Sequence, residues 1–101
     1  MAEFVKVATL QELPPGSAKT VEIGGRSLAL YNLDGAVFAT ANTCPHRGGP
    51  LGEGDLDGPI ITCPWHGFQY DVKNGTCLTN AALSVPCHPV RLEGDSVLVQ
   101  V

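Results

Sequence analysis

Basic residues are scarce in this chain. Six Lys and Arg stand against 10 Asp and Glu, for a net charge of −4. No basic stripe is present to grip phosphates, so nucleic acid is excluded as a partner. Long apolar runs are missing too. None approaches the roughly 20 residues that a membrane-spanning helix needs. The opening stretch MAEFVKVATL lacks the basic segment and apolar core of a secretory signal. The expectation from these absences is a cytoplasmic protein that engages no membrane. Helical periodicity is also lacking: no segment of about ten residues repeats its apolar positions every three to four. Linkers, repeats and low-complexity tracts are absent.

What is present is glycine and proline, 12 and 8 of 101 residues. The length suits one domain, and the composition suits a turn-rich fold. Alternating runs recur at residues 4–8 (FVKVA), 19–23 (KTVEI), 26–32 (RSLALYN) and 36–40 (AVFAT). Three more follow at 59–63 (PIITC), 67–72 (GFQYDV) and 96–101 (SVLVQV). Turn pairs separate them: Gly24-Gly25, Asp34-Gly35, Asn74-Gly75 and Glu93-Gly94-Asp95. Thr9 and Glu12 stand at capping-box spacing for one helical turn, which Pro14-Pro15-Gly16 would end. These patterns predict an all-β domain of short antiparallel strands.

One segment breaks the alternation. Residues 43–58, TCPHRGGPLGEGDLDG, hold five glycines and two prolines. That is long for a hairpin loop, and long structured loops carry function. It opens with Cys44-Pro45-His46. Further on stands Cys63-Pro64-Trp65-His66. The pattern is thus C-x-H followed by C-x-x-H, each half carrying one thiol and one imidazole. In a reducing cytoplasm such cysteines favour a metal over disulfides. Thiolate and imidazole serve both zinc and iron–sulfur centres. A zinc finger groups its cysteines in one half and its histidines in the other. The mixed halves instead suit a [2Fe–2S] centre with two cysteines on one iron and two histidines on the other, each loop sending a ligand to each iron. A zinc-stabilised binding module stays as the alternative.

At CPHRGGPL (44–51) and CPWHGFQYD (63–71) the sequence resembles the Rieske family. The likeness runs over most of the chain, including the closing VPCHPVRLEGDSVLVQV. The resemblance implies a Rieske-like antiparallel β-sandwich with a small cluster-binding subdomain formed by two loops. The whole chain, 1–101, would be one such domain, with the cluster loops inside 43–71. Cys44 and Cys63 would bind the inner iron of one [2Fe–2S] cluster, and His46 and His66 the outer iron. High-potential members of respiratory complexes carry an extra cysteine in each loop, joined as a disulfide. Here those positions are Gly49 and Trp65, and Phe68 replaces a serine that donates to a cluster sulfide. Tyr70 stands where a tyrosine bonds a cysteine sulfur. Fewer donors imply a low-to-intermediate potential.

The implied function is one-electron transfer without catalysis. Electrons would pass from a flavin-containing reductase to a terminal oxygenase of aromatic rings or related substrates. The small subunit of a larger redox enzyme, such as an assimilatory nitrite reductase, is the alternative. Cys77 and Cys87 read as buried structural thiols. Trp65 and Phe68 would shield the cluster or touch a partner. Glu53, Asp55 and Asp57 suit either a solvated loop face or a docking patch for a basic partner, and Arg47 either solvates its loop or touches that partner.

Overall fold

A computed structural model describes residues 4–43, 49–65, 67–80 and 82–100. Ten strands are defined among them: β1 (Phe4–Thr9), β2 (Ala18–Ile23), β3 (Arg26–Leu33), β4 (Ala36–Ala41), β5 (Asp55–Asp57), β6 (Ile60–Thr62), β7 (Gln69–Asp71), β8 (Cys87–His88), β9 (Val90–Glu93) and β10 (Ser96–Gln100). All pairings are antiparallel. They form three sheets, in the orders β1-β10-β9, β2-β3-β4-β8 and β5-β6-β7.

The middle sheet divides two cores, and β3 shows why. Its residues Leu28 and Leu30 enter one core with Val21, Val37, Val97 and Val99. The intervening Ala29 and Tyr31 enter the other, with Leu51, Ile61, Cys63, Tyr70 and Val72. Successive strand residues point to opposite faces. A strand covered on both sides therefore needs apolar residues at consecutive positions, which is what SLALY supplies. The buried polar groups of this layer are paired. Tyr31 Oη and Thr40 Oγ1 lie 2.9 Å apart, and Thr40 Oγ1 donates to Ala41 O at 2.9 Å. Burial, partly offset by the Thr40 hydrogen bond, holds the Tyr31 phenol far above its ordinary pKa. Asn32 Nδ2 donates to Leu13 O at 2.8 Å, and Asn32 Oδ1 accepts from the Gly35 N–H at 2.7 Å. One side chain thus ties the β3–β4 turn to the chain before β2.

The expected all-β fold is present, and so is the expected helical turn. It is a 3-10 turn, Leu10–Glu12, where the Thr9 N–H donates to Glu12 Oε1 at 3.0 Å. The long loop needs correction. Residues 43–58 contain a second 3-10 turn, Leu51–Glu53, and the strand β5. Gly52 marks close packing. A Cβ on Gly52 would sit 2.8 Å from the Thr20 backbone nitrogen, so only glycine lets this turn lie on β2. The stretch expected to bear the two loops therefore includes a three-stranded sheet, β5-β6-β7. Strand β9 also falls in a stretch where the alternation did not mark a strand.

Candidate metal centre

The β6–β7 hairpin positions the second motif. Ile61 pairs with Tyr70 and Thr62 with Gln69. Residues 63–68, CPWHGF, form the connection, and the Cys63 N–H closes it by donating to Phe68 O at 2.7 Å. Gly67 takes φ +74, a conformation that glycine adopts without steric penalty. Cys63 is 1% exposed and packs in the core with Ile61, Tyr70 and Val72. Phe68 packs half-buried against that same core. Trp65 points outward, 51% exposed. Trp65 thus lies on an accessible surface, whereas Phe68 faces the core.

The first motif hangs from a similarly closed base. Thr43 and Pro50 form an antiparallel bridge. Asn42 anchors it. The Leu51 N–H donates to Asn42 O at 2.8 Å and the Gly52 N–H to Asn42 Oδ1 at 2.8 Å. Thr20 Oγ1 donates to Asn42 Oδ1 at 3.2 Å, and the Asn42 N–H reaches Ser27 O at 3.1 Å. Asn42 is 7% exposed. Nothing in its sequence context singled it out, because an asparagine before a loop is ordinary. Cys44, His46 and Arg47 of the first motif, and His66 of the second, lie outside the described residues.

Gly49 shows that the two motifs meet. A Cβ built there would lie 2.8 Å from Cys63 Sγ, 3.0 Å from Trp65 Cγ and 3.1 Å from Trp65 Cβ. The backbone that closes the first motif thus rests on the cysteine sulfur that opens the second. The same distances place positions 49 and 65 face to face. Neither residue is a cysteine, so no disulfide joins them.

The other cysteines divide. Cys77 is buried in the core that holds Cys63, as expected. Cys87 is exposed, against expectation. It lies on β8, a two-residue strand at the edge of the middle sheet, opposite Thr40. An edge strand has no outer neighbour to cover it. What burial it has, with the nearby Asp71 carboxylate, raises its thiol pKa. Cys77 and Cys87 share no disulfide.

Glu53, Asp55 and Asp57 are exposed but do not share one place. Glu53 lies in the 3-10 turn. Asp55 faces Thr62, beside the loop, whereas Asp57 faces Ile60 at the other end of the hairpin. A cleft of about 540 Å³ lies at that far end. Asp34, Phe38, Pro59 and Lys73 help line it. No helix among the described residues is long and apolar enough to cross a membrane.

The arrangement that emerges is a buried thiol at the lip of a β-hairpin, met by the backbone of a second loop and flanked by an exposed indole. Residues 3–90 match the family model for the Rieske [2Fe-2S] domain. The ferredoxin component of the naphthalene 1,2-dioxygenase system of Pseudomonas aeruginosa is 32% identical, over 98% of this chain and 96% of the relative. A solved complex of reduced oxygenase and oxidized ferredoxin in carbazole 1,9a-dioxygenase contains a chain with TM-score 0.88 and 30% identity. The overlap spans 96% of this chain and 92% of that one. A protein assigned as the small subunit of an NADH-dependent nitrite reductase from Mycobacterium tuberculosis has TM-score 0.90 and 25% identity, over 100% and 96% of the two chains.

Proposed function

This chain belongs to the Rieske [2Fe–2S] family, and from that membership we propose that it serves as the ferredoxin of a multicomponent oxygenase, between a flavin-containing reductase and a terminal oxygenase acting on aromatic or related compounds. It carries a [2Fe–2S] cluster and is an electron-transfer component, with no catalytic step of its own. The zinc-stabilised alternative falls with this membership. The observation that carries the reading is the match with a dioxygenase ferredoxin over nearly the full length of both chains.

We assign the cluster to Cys44, Cys63, His46 and His66, thiolates on one iron and imidazoles on the other. The donor set is chemically right for the group, and Gly49 leaves open a space beside Cys63 Sγ that any side chain would fill. When bound, the cluster takes up and releases one electron, at a potential raised by neutral imidazole ligands relative to four thiolates. The chain's own residues hold and shield that group. Burial of Cys63 keeps water from its sulfur, and the Cys63–Phe68 backbone bond fixes its main chain. Phe68 and Tyr70 pack around the base of the hairpin. Trp65 offers an apolar contact to a docked protein, where aromatic side chains contribute most. The whole chain would form one domain working in the cytoplasm.

Reconstitution tests this. Purified protein should be reduced by an NADH-dependent flavoprotein reductase and reoxidised by the terminal oxygenase of a naphthalene-type system, coupled to ring hydroxylation. Iron and acid-labile sulfide should be near two each per chain. Protein that is never reoxidised by any such oxygenase, but co-purifies with a large nitrite-reducing chain, would establish the second reading, which the similarity to a nitrite reductase small subunit favours.

A further inference from the structure

The segment after β7 has no role in the reading above, yet its hydrogen bonds converge on the loop that holds Cys63. Within the β6–β7 pair, Gln69 turns its backbone groups away from Thr62. Its C=O accepts the Leu78 N–H at 2.8 Å. Its N–H donates to a side chain, Thr79 Oγ1, at 3.0 Å. A hydroxyl replaces a backbone carbonyl here because the chain leaves the sheet at this point. The Tyr70–Cys77 bridge precedes it, and a compact turn follows. In that turn the Asn80 N–H donates to Cys77 Sγ at 3.3 Å, and Asn80 Oδ1 accepts the Ala82 N–H at 3.0 Å. The Leu83 N–H reaches Asn80 O at 3.0 Å. Cys77, buried, therefore shapes the turn that presents Thr79.

The Gln69 N–H belongs to the same peptide group as the Phe68 C=O. That C=O accepts the Cys63 N–H at 2.7 Å. A peptide group is planar and rigid, so its two ends orient together. Thr79 grips one end and Cys63 the other. Hydrogen bonds in such a chain also polarise and strengthen one another.

We propose that Thr79 is a positioning residue for Cys63, acting through the Phe68–Gln69 peptide. The proposal rests on the reading of Cys63 as a cluster ligand. In the holoprotein, Thr79 sets how firmly the backbone of residues 63–68 is held. Cys77 supports it by fixing the turn.

The test uses Thr79→Val, which keeps the shape and removes the acceptor, and Thr79→Ser, which keeps it. Amide hydrogen exchange of the holoprotein is read at Cys63 and, as a remote control, at Leu30 in β3. Thr79→Val should speed exchange at Cys63 about two- to tenfold, the span expected for one hydrogen bond, and leave Leu30 unchanged. Thr79→Ser should stay within about twofold of wild type. The EPR g-values of the reduced protein should move in Thr79→Val and return in Thr79→Ser. Unaltered Cys63 exchange in Thr79→Val overturns the proposal. So does equal acceleration in both variants, or at Leu30 as well. Iron and sulfide in the wild type are scored separately, so a chain without the cluster counts against the ferredoxin reading alone.

Discussion

Removing the Asn42 side chain should loosen the base of the first motif, and the structure sets the size of the effect. Asn42→Ala keeps both backbone bonds, to Ser27 O and from the Leu51 N–H, because neither uses the side chain. It deletes Oδ1, which accepts from the Gly52 N–H at 2.8 Å and from Thr20 Oγ1 at 3.2 Å. Gly52 is buried, so its N–H loses its partner with no open route to water. A buried donor left unpaired costs about 1–3 kcal/mol. The Thr20 hydroxyl is only partly buried and its bond is longer, so it adds about 0.5 kcal/mol. The sum is about 1.5–3.5 kcal/mol. For a domain of this size it should lower the unfolding midpoint by roughly 6–28 °C. Thr20→Val removes only the weaker bond and should cost about 0.5–1 kcal/mol. Thermal unfolding of both variants and the wild type at one scan rate, with iron content measured alongside, checks this. Asn42→Ala should also lose iron faster under mild heating, since Asn42 precedes the Thr43–Pro50 bridge. A midpoint within about 3 °C of wild type would refute the reasoning and mean that the 3-10 turn holds without the Asn42 side chain.

Gly49→Ala should disturb the site itself. A Cβ 2.8 Å from Cys63 Sγ stands well inside the contact optimum of about 3.5–4.0 Å, so about 1–3 kcal/mol of overpacking should appear as lower cluster occupancy or an altered visible spectrum; an unchanged spectrum at full occupancy would contradict it. Asp55→Asn should slow electron transfer to the partner at low salt more than Asp57→Asn does, because only Asp55 lies beside the loop; equal rates for both variants and wild type at every ionic strength would leave these acids as guardians of an exposed sheet edge. Stability should fall in alkali. Tyr31 has a folded pKa raised above its unfolded value, so its contribution is complete below about pH 10 and declines above it, by at most about 1.4 kcal/mol per pH unit. Tyr31→Phe should flatten that alkaline slope in denaturant titrations, whatever it costs at neutral pH.

Much of the fold was legible in short patterns. Strands β2 to β4 follow from alternation and from Gly24-Gly25 and Asp34-Gly35, because hairpin pairing is local and turn residues mark it. Strand β5 was not legible. Asp55-Leu56-Asp57 offers one apolar residue between two carboxylates, and it becomes a strand because Ile60–Thr62 pairs with it. Cys87 misled for a similar reason. A cysteine in an apolar stretch suggests burial, but only sheet order shows that β8 is an outer edge.

By itself the sequence determined the chemistry of this protein. The identities and order of Cys44, His46, Cys63 and His66 are covalent facts, and the softness and charge of thiolate and imidazole follow from residue type alone. It also determined the strand-forming segments, since backbone preference and alternation act over a few residues. Tertiary structure decided what depends on residues far apart in the chain. It placed Gly49 against Cys63 and Trp65, put Asn42 beneath the first motif, and brought Thr79 to the peptide that binds Cys63. These contacts join segments whose spacing carries no periodic signal. They exist because two small sheets, packed on opposite faces of the sheet that contains β3, bring those segments within a few ångströms of one another.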